Sequence, residues 1–285
     1  MRIETNGIRV DSDEWDEPLG GIRGMGPVTL ERTHLEAAIG EVRFSSDRSE
    51  LPEREAEAIW VGLGRDSLPV FEKHTQSVVS VTVGPQGASQ TVEEQRGWVL
   101  ATADKSLLFT LLPSTVVVQT SKYERYSASL GDRLKEILPL FTAATRVSRI
   151  QRVGLRFINR LSDPGALQPQ FWKEHIREDF AGPLAGGLSE LVVGQHQQTQ
   201  LRLDSTATAR IQSGFFQEPG ARSLYSFLID LDVFREATFV YDEVLCANMM
   251  RQLNRTALAL FAHVLSDNYL ADLGPLDLAR TENLQ

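Results

Sequence analysis

The sequence predicts an α+β protein with a shared antiparallel sheet backed by helices. Three observations carry that expectation. Segments with two-residue apolar alternation dominate the chain. They follow one another in meanders divided by turn pairs such as Asp104-Lys105 and Pro113-Ser114, whereas a parallel βαβ chain would alternate strands singly with helices. The order strand, helix, antiparallel strands, long helix occurs twice, which predicts two tandem halves related by a pseudo-two-fold axis.

Arg2–Thr5 and Ile8–Asp11 alternate around Asn6-Gly7, a dipeptide suited to a type I′ hairpin turn. The acids Asp11, Asp13, Glu14, Asp16 and Glu17 then surround Trp15, and Gly20, Gly21, Gly24 and Gly26 lead to Pro27. Residues 1–28 therefore read as a hairpin followed by a loosely held acidic and glycine-rich linker.

The first α+β half spans 29–148. Val42-Arg43-Phe44 closes a strand, Glu53–Gly62 has helical spacing, and Val79, Val81 and Val83 alternate with polar residues. Arg96–Ala103, Ser106–Leu112 and Thr115–Ser121 are three further strands. Leu130, Leu134, Ile137, Leu138 and Phe141 share one helical face, with Pro139 predicting a kink or an early end.

The second half spans 149–274. Arg149–Leu161 reads as a long strand and Phe171–Phe180 as a helix. Leu191–Leu203 reads as one strand, or as two broken around the polar run Gln195–Gln200. Ala207–Phe216 and Arg222–Phe234 are strands, and Glu243–Ser266 is a long helix with Leu245, Met249, Leu253, Thr256, Leu260 and Val264 facing inward. Residues 275–285 read as a flexible tail. A constant shift lays Val42-Arg43-Phe44 on Leu155-Arg156-Phe157, as an internal duplication requires.

Composition narrows the function classes. Of 285 residues, 42% are apolar and 24% charged, as in an ordinary globular chain. The net charge of −9 opposes the broad basic field of a non-specific nucleic-acid binder. The longest uninterrupted apolar run is Ala257–Ala262, and the residues following Met1 contain no apolar leader, so neither membrane spans nor export is expected. The single Cys246 forms no internal disulfide, which suits a reducing cytoplasm.

No catalytic constellation stands out. His34, His74, His175, His196 and His263 lack metal-site spacing, and no phosphate loop, nucleophile elbow or zinc motif occurs, so no metal or cofactor is expected. The best polar constellation lies on strands. Alternation puts Gly154, Arg156, Ile158 and Arg160 on one face of their strand, and Leu228, Asp230 and Asp232 on one face of theirs. These residues read either as a cross-strand salt-bridge network or as an anion site, with Arg156 and Arg160 forking onto a phosphate or a partner carboxylate. The shifted register adds Arg43 at the position equivalent to Arg156. A second candidate is a docking segment formed by Asp13, Glu14, Trp15 and Asp16, an acidic peptide with an aromatic anchor.

The run Arg152–Arg160 (RVGLRFINR) resembles the core strand of a sporadically distributed bacterial family of unassigned function. His34–Phe44 (HLEAAIGEVRF) and Leu228–Phe234 (LIDLDVF) resemble the opening and late strands of the same family. The similarity covers residues 30–272. It implies a cytoplasmic bacterial α+β protein without assigned catalytic residues. Such patchy distribution is typical of mobile defence and toxin–antitoxin loci. Residues 1–28 depart from the family pattern. The sequence thus favours a non-enzymatic interaction or regulatory protein whose partner is another protein. The alternative is a sensor of a small anionic or nucleotide ligand, followed by an enzyme of unrecognised type.

Overall fold

The structure is a computed structural model that describes residues 3–5, 8–10, 15, 17–22, 29–30, 35–84, 87–220 and 224–276. The strands are β1 (Ile3–Thr5), β2 (Ile8–Val10), β3 (Thr29–Leu30), β4 (Leu35–Phe44), β5 (Val70–Gly84), β6 (Gly87–Ala101), β7 (Leu107–Leu111) and β8 (Thr115–Thr120) in the first part of the chain. They continue as β9 (Arg149–Leu161), β10 (Gln197–Arg202), β11 (Ala207–Gln217), β12 (Tyr225–Val240) and β13 (Pro275–Leu276). The helices are α1 (Glu53–Leu63), α2 (Asp132–Thr145), α3 (Glu178–Ala181), α4 (Glu243–Val264) and α5 (Asp267–Asp272). One nine-stranded antiparallel sheet has the order β10-β11-β12-β9-β4-β8-β7-β6-β5, and β1-β2 and β13-β3 form two small ladders. The fold is α+β.

The chain divides into two compact units: residues 1–38, 154–236 and 248–285 form the first, and residues 39–153 and 237–247 the second. Both are discontinuous in sequence.

In the second unit, Val42, Phe44, Leu100, Phe109, Leu111, Val116 and Val118 form a buried layer with Ala56 and Ile59 of α1 and with Leu134, Ile137, Leu138 and Phe141 of α2. Phe44 stacks on Phe141 with ring centroids 5.6 Å apart. Pro139 does not end α2, which continues to Thr145. The Thr142 hydroxyl donates back to the Leu138 carbonyl at 3.0 Å and that of Thr145 to Phe141 at 2.7 Å, so the last turns keep local partners beyond the proline. Trp60, Phe71 and Trp98 stack in series at 4.7 and 4.5 Å, tying α1 to the β5–β6 hairpin. The guanidinium of Arg65 lies over Trp60 and the ammonium of Lys73 over Trp98, so both ends of the stack are covered.

The first unit buries Leu155, Phe157, Leu161, Ala209, Ile211, Phe215, Phe227, Ile229, Leu231 and Val233 from its strands, and Met249, Leu253, Thr256, Leu260 and Val264 from α4. Each large aliphatic in this layer stabilises the fold by about 1.5–3 kcal/mol relative to exposure. Three expectations are corrected here. Phe171–Phe180 is not one helix: a 3₁₀ turn at Pro169–Lys173 and the short α3 flank a break. In the break Ile176 bridges Leu265, and the Arg177 amide donates to the Val264 carbonyl at 2.9 Å, a tertiary pairing that displaces the local helix. The polar run beginning at Gln195 does not interrupt a strand. Of Leu191–Leu203 only Gln197–Arg202 is a strand, β10, which begins inside that run; its polar residues are tolerated because it lies at the sheet edge.

The N-terminal linker differs from expectation as well. The β1–β2 ladder pairs Ile3 with Val10, as a hairpin should, while the Asn6-Gly7 turn itself lies outside the described residues. Trp15 and residues 17–22, expected to be loose, are anchored. Trp15 is 7% exposed, and Leu19–Gly21 forms a 3₁₀ turn with positive φ at Gly20 (73°) and Gly21 (64°), a conformation that suits glycine. The Leu19 amide donates to Thr256 Oγ1 at 3.0 Å, and Gln252 Nε2 reaches the Glu17 carbonyl at 3.4 Å. Of the expected tail, Pro275–Leu276 pairs with Thr29–Leu30, and residues 277–285 lie outside the described residues.

Candidate functional site

In β9, alternation buries Val153, Leu155, Phe157, Asn159 and Leu161 and leaves Arg156, Ile158 and Arg160 at the open face. In β12 it buries Phe227, Ile229, Leu231 and Val233, which turns Leu228, Asp230 and Asp232 the other way. The Arg156 guanidinium meets Asp230 as a fork, with Nε to Oδ1 at 2.8 Å and Nη2 to Oδ2 at 2.6 Å. The arginine side chain is 45% exposed, whereas that of Asp230 is 7% exposed. The hydrogen bonds that Arg156 donates to Asp230 raise its pKa above the ordinary value, so this cation is permanent.

Arg160 makes a second fork on Glu218, through Nε to Oε1 at 2.9 Å and Nη2 to Oε2, and its Nη1 reaches Glu36 Oε1 at 3.1 Å. Its guanidinium also lies 5.1 Å from the centroid of the Phe216 ring. Glu218 additionally accepts the Ser226 hydroxyl, which is 3.0 Å from that of Ser162. The donors Ser226 and Arg160 hold the Glu218 carboxyl below its usual range.

Asp232 is the Cα partner of Arg210, whose Nη1 lies 3.8 Å from Asp232 Oδ2 and whose guanidinium sits 5.8 Å from the Phe234 ring centroid. Arg43 is not part of this cluster. It belongs to the second unit, where its Nη2 donates to Glu41 at 3.1 Å, and Arg152 takes the same carboxylate oxygen at 2.7 Å. Of the docking segment, Trp15 is buried in its own chain, while Asp13, Glu14 and Asp16 lie outside the described residues.

The sequence reading named Arg156, Arg160, Asp230 and Asp232 but missed Glu218, Glu36, Arg210, Phe216 and Ser226. Arg210 was within reach of the alternation argument, since Ala209 and Ile211 on either side of it are buried. No local signal marked Glu218, which follows the last residue of β11.

The charges on this face close on themselves. Arg156, Arg160 and Arg210 stand against Asp230, Asp232, Glu218 and Glu36, so a phosphate would have to displace carboxylates already in place. Two other chemistry-bearing groups are also committed. His175 places Nδ1 2.7 Å from the Phe171 carbonyl and stacks on the Phe171 ring at 4.1 Å. Cys246 is buried, and burial together with the Asp242 charge pushes its thiol up to about 12. Among the described residues no group of three or more His, Cys, Asp or Glu is placed to hold a metal ion. No helix among them is long and apolar enough to cross a membrane.

Comparison of the chain with models of known protein families gives no match, and comparison with curated proteins gives none.

Proposed function

We propose that this protein is a non-enzymatic interaction protein and that the open face of β9, β12 and β11 is where it receives a protein partner. The observation that carries the reading is the saturation of the arginines. Arg156 and Arg160 are held in forks by Asp230 and Glu218, with half-buried Ile158, Leu228 and Phe216 between and beside them. Pre-ordered arginines beside apolar side chains suit a protein interface, because the entropy of fixing those long side chains is already lost in the free chain. A free-anion sensor needs the opposite, guanidinium groups left uncommitted until ligand arrives. The strand Arg152–Arg160, which carries the family resemblance, contributes both arginines. A cytoplasmic setting, without metal or cofactor, accords with the single cysteine and the short apolar runs.

The duplication belongs to the same proposal. Reading outward from β9, its own half continues β12, β11, β10. Reading outward from β4, the other half continues β8, β7, β6, β5. In each half the first strand lies beside the last, and the meander runs back from the edge, the order that duplication of one ancestral half supports.

The test is affinity isolation from the native host with the wild-type chain and with Leu228→Glu, alongside thermal shifts in a panel of phosphate, citrate and nucleotides. The expected result is a stoichiometric protein partner retained by the wild type and lost by the folded variant, with no anion stabilising the chain. Stabilisation by one anion that disappears in Arg156→Met would replace this reading with the sensor.

A further inference from the structure

The second unit carries a long hairpin. β5 and β6 are each 15 residues long and pair without a break from Val70↔Ala101 to Gly84↔Gly87. β7 pairs only with Trp98–Ala101 of β6, and an isolated bridge joins Arg96 to Glu50. From Gln76↔Gln95 to Gly84↔Gly87 the described residues give this ribbon no third strand. A two-stranded ribbon is marginally stable at best in water, so its backbone invites another strand.

β5 is also the outermost strand of the sheet order. Sheet edges are ordinarily guarded by shortness, lysine, proline or a bulge. The opposite edge, β10, is six residues long and ends in Arg202. From His74 to Gly84, β5 has no charged residue, no proline and an unbroken register. The whole stretch Thr75–Val92 is likewise without charge. Two copies of a chain of net charge −9 repel one another over most of their surface, and this stretch is where they can approach without that cost. A nucleic acid would find no cation there.

We infer that the outer edge of β5 pairs antiparallel with β5 of a second copy of this chain, forming a two-fold dimer by strand addition. A two-fold axis normal to the sheet keeps every residue on its own face, so facing positions share the same parity along the strand. A register centred on Val81 then sets Val81 opposite its own counterpart and Val79 opposite Val83 of the second copy. The facing register positions of that parity are then all valines, next to the Val79↔Val92 rung within each hairpin. The interface uses strands other than those of the proposed docking face, and either can fail without the other.

Sedimentation velocity on the full-length protein should give twice the 31.8 kDa chain mass. Val81→Lys sets two lysines opposite each other and should sediment as a folded monomer by circular dichroism. If that variant fails to fold, cysteine cross-linking decides. Val81→Cys should oxidise to a covalent dimer, because facing antiparallel residues have Cα atoms about 4.5–5.5 Å apart, within disulfide reach. Val92→Cys, one strand inside the edge, should not, and the buried Cys246 does not compete. A monomeric wild type, a Val81→Lys chain that stays dimeric, or equal cross-linking of the two cysteine variants would overturn the inference.

Discussion

Replacing Arg156 by methionine keeps the length of the side chain but strands the Asp230 carboxylate. The two bonds lost are 2.8 and 2.6 Å long, and their acceptor is only 7% exposed. An exposed ion pair contributes about 0–1 kcal/mol, whereas removing one partner of a buried pair costs about 3–5 kcal/mol. With the guanidinium 45% in solvent and the carboxylate almost wholly out of it, the pair falls between these limits. The expected loss is about 2 kcal/mol, most of it the desolvation penalty of an unpaired carboxylate. The cause makes a second expectation testable. Asp230→Asn placed in the Arg156→Met background removes the stranded charge, so the double variant should be more stable than Arg156→Met alone. Urea denaturation of the wild type, both single variants and the double variant gives the coupling energy, expected at about 1–2 kcal/mol. Additive losses, or an Arg156→Met protein within about 0.5 kcal/mol of wild type, would refute the claim that this pair supports the fold.

Gly97→Ala should destabilise severely, by more than about 1–3 kcal/mol, because its Cβ would overlap the Leu111 carbonyl oxygen on the neighbouring strand; thermal melting measures it. Thr256→Val removes the acceptor of the Leu19 amide and should speed hydrogen exchange at Leu19, at a stability cost of about 1 kcal/mol. Glu218 has its carboxyl held below the ordinary 4.5 by Ser226 and Arg160, so its stabilisation is present above that value and is lost as pH falls through the lower folded value. Glu218→Gln should therefore lower the urea midpoint at neutral pH, with the gap to wild type closing in acid. Cys246, its thiol pushed up to about 12, should resist a disulfide reagent at neutral pH until the protein is denatured, which a colorimetric thiol titration reads directly.

Local periodicity was enough for the elements whose burial follows one face. The alternation over Arg149–Leu161 gave β9 to the residue, and the stripe from Leu245 to Val264 gave the inward side of α4. The same logic failed where a distant segment claimed the backbone. Val264 and Leu265 hold the break inside Phe171–Phe180, and an edge position lets Gln197–Arg202 be a strand with little apolar content. Trp15 had no visible host in the sequence, because its burial depends on where residues 17–22 settle against positions such as Gln252 and Thr256, more than two hundred residues along the chain.

The candidate site divides in the same way. Period two, by itself, put Arg156 and Arg160 on one face and Asp230 and Asp232 on one face, since side-chain direction along a strand is a property of its own backbone. Which carboxylate each arginine meets was decided by the tertiary structure alone. Arg160 finds Glu218 at a sequence separation of 58 and Glu36 at 124, and Arg156 finds Asp230 at 74. Such pairings depend on strand order and register, which are fixed by packing the whole sheet and leave no trace in the residues on either side of each charge.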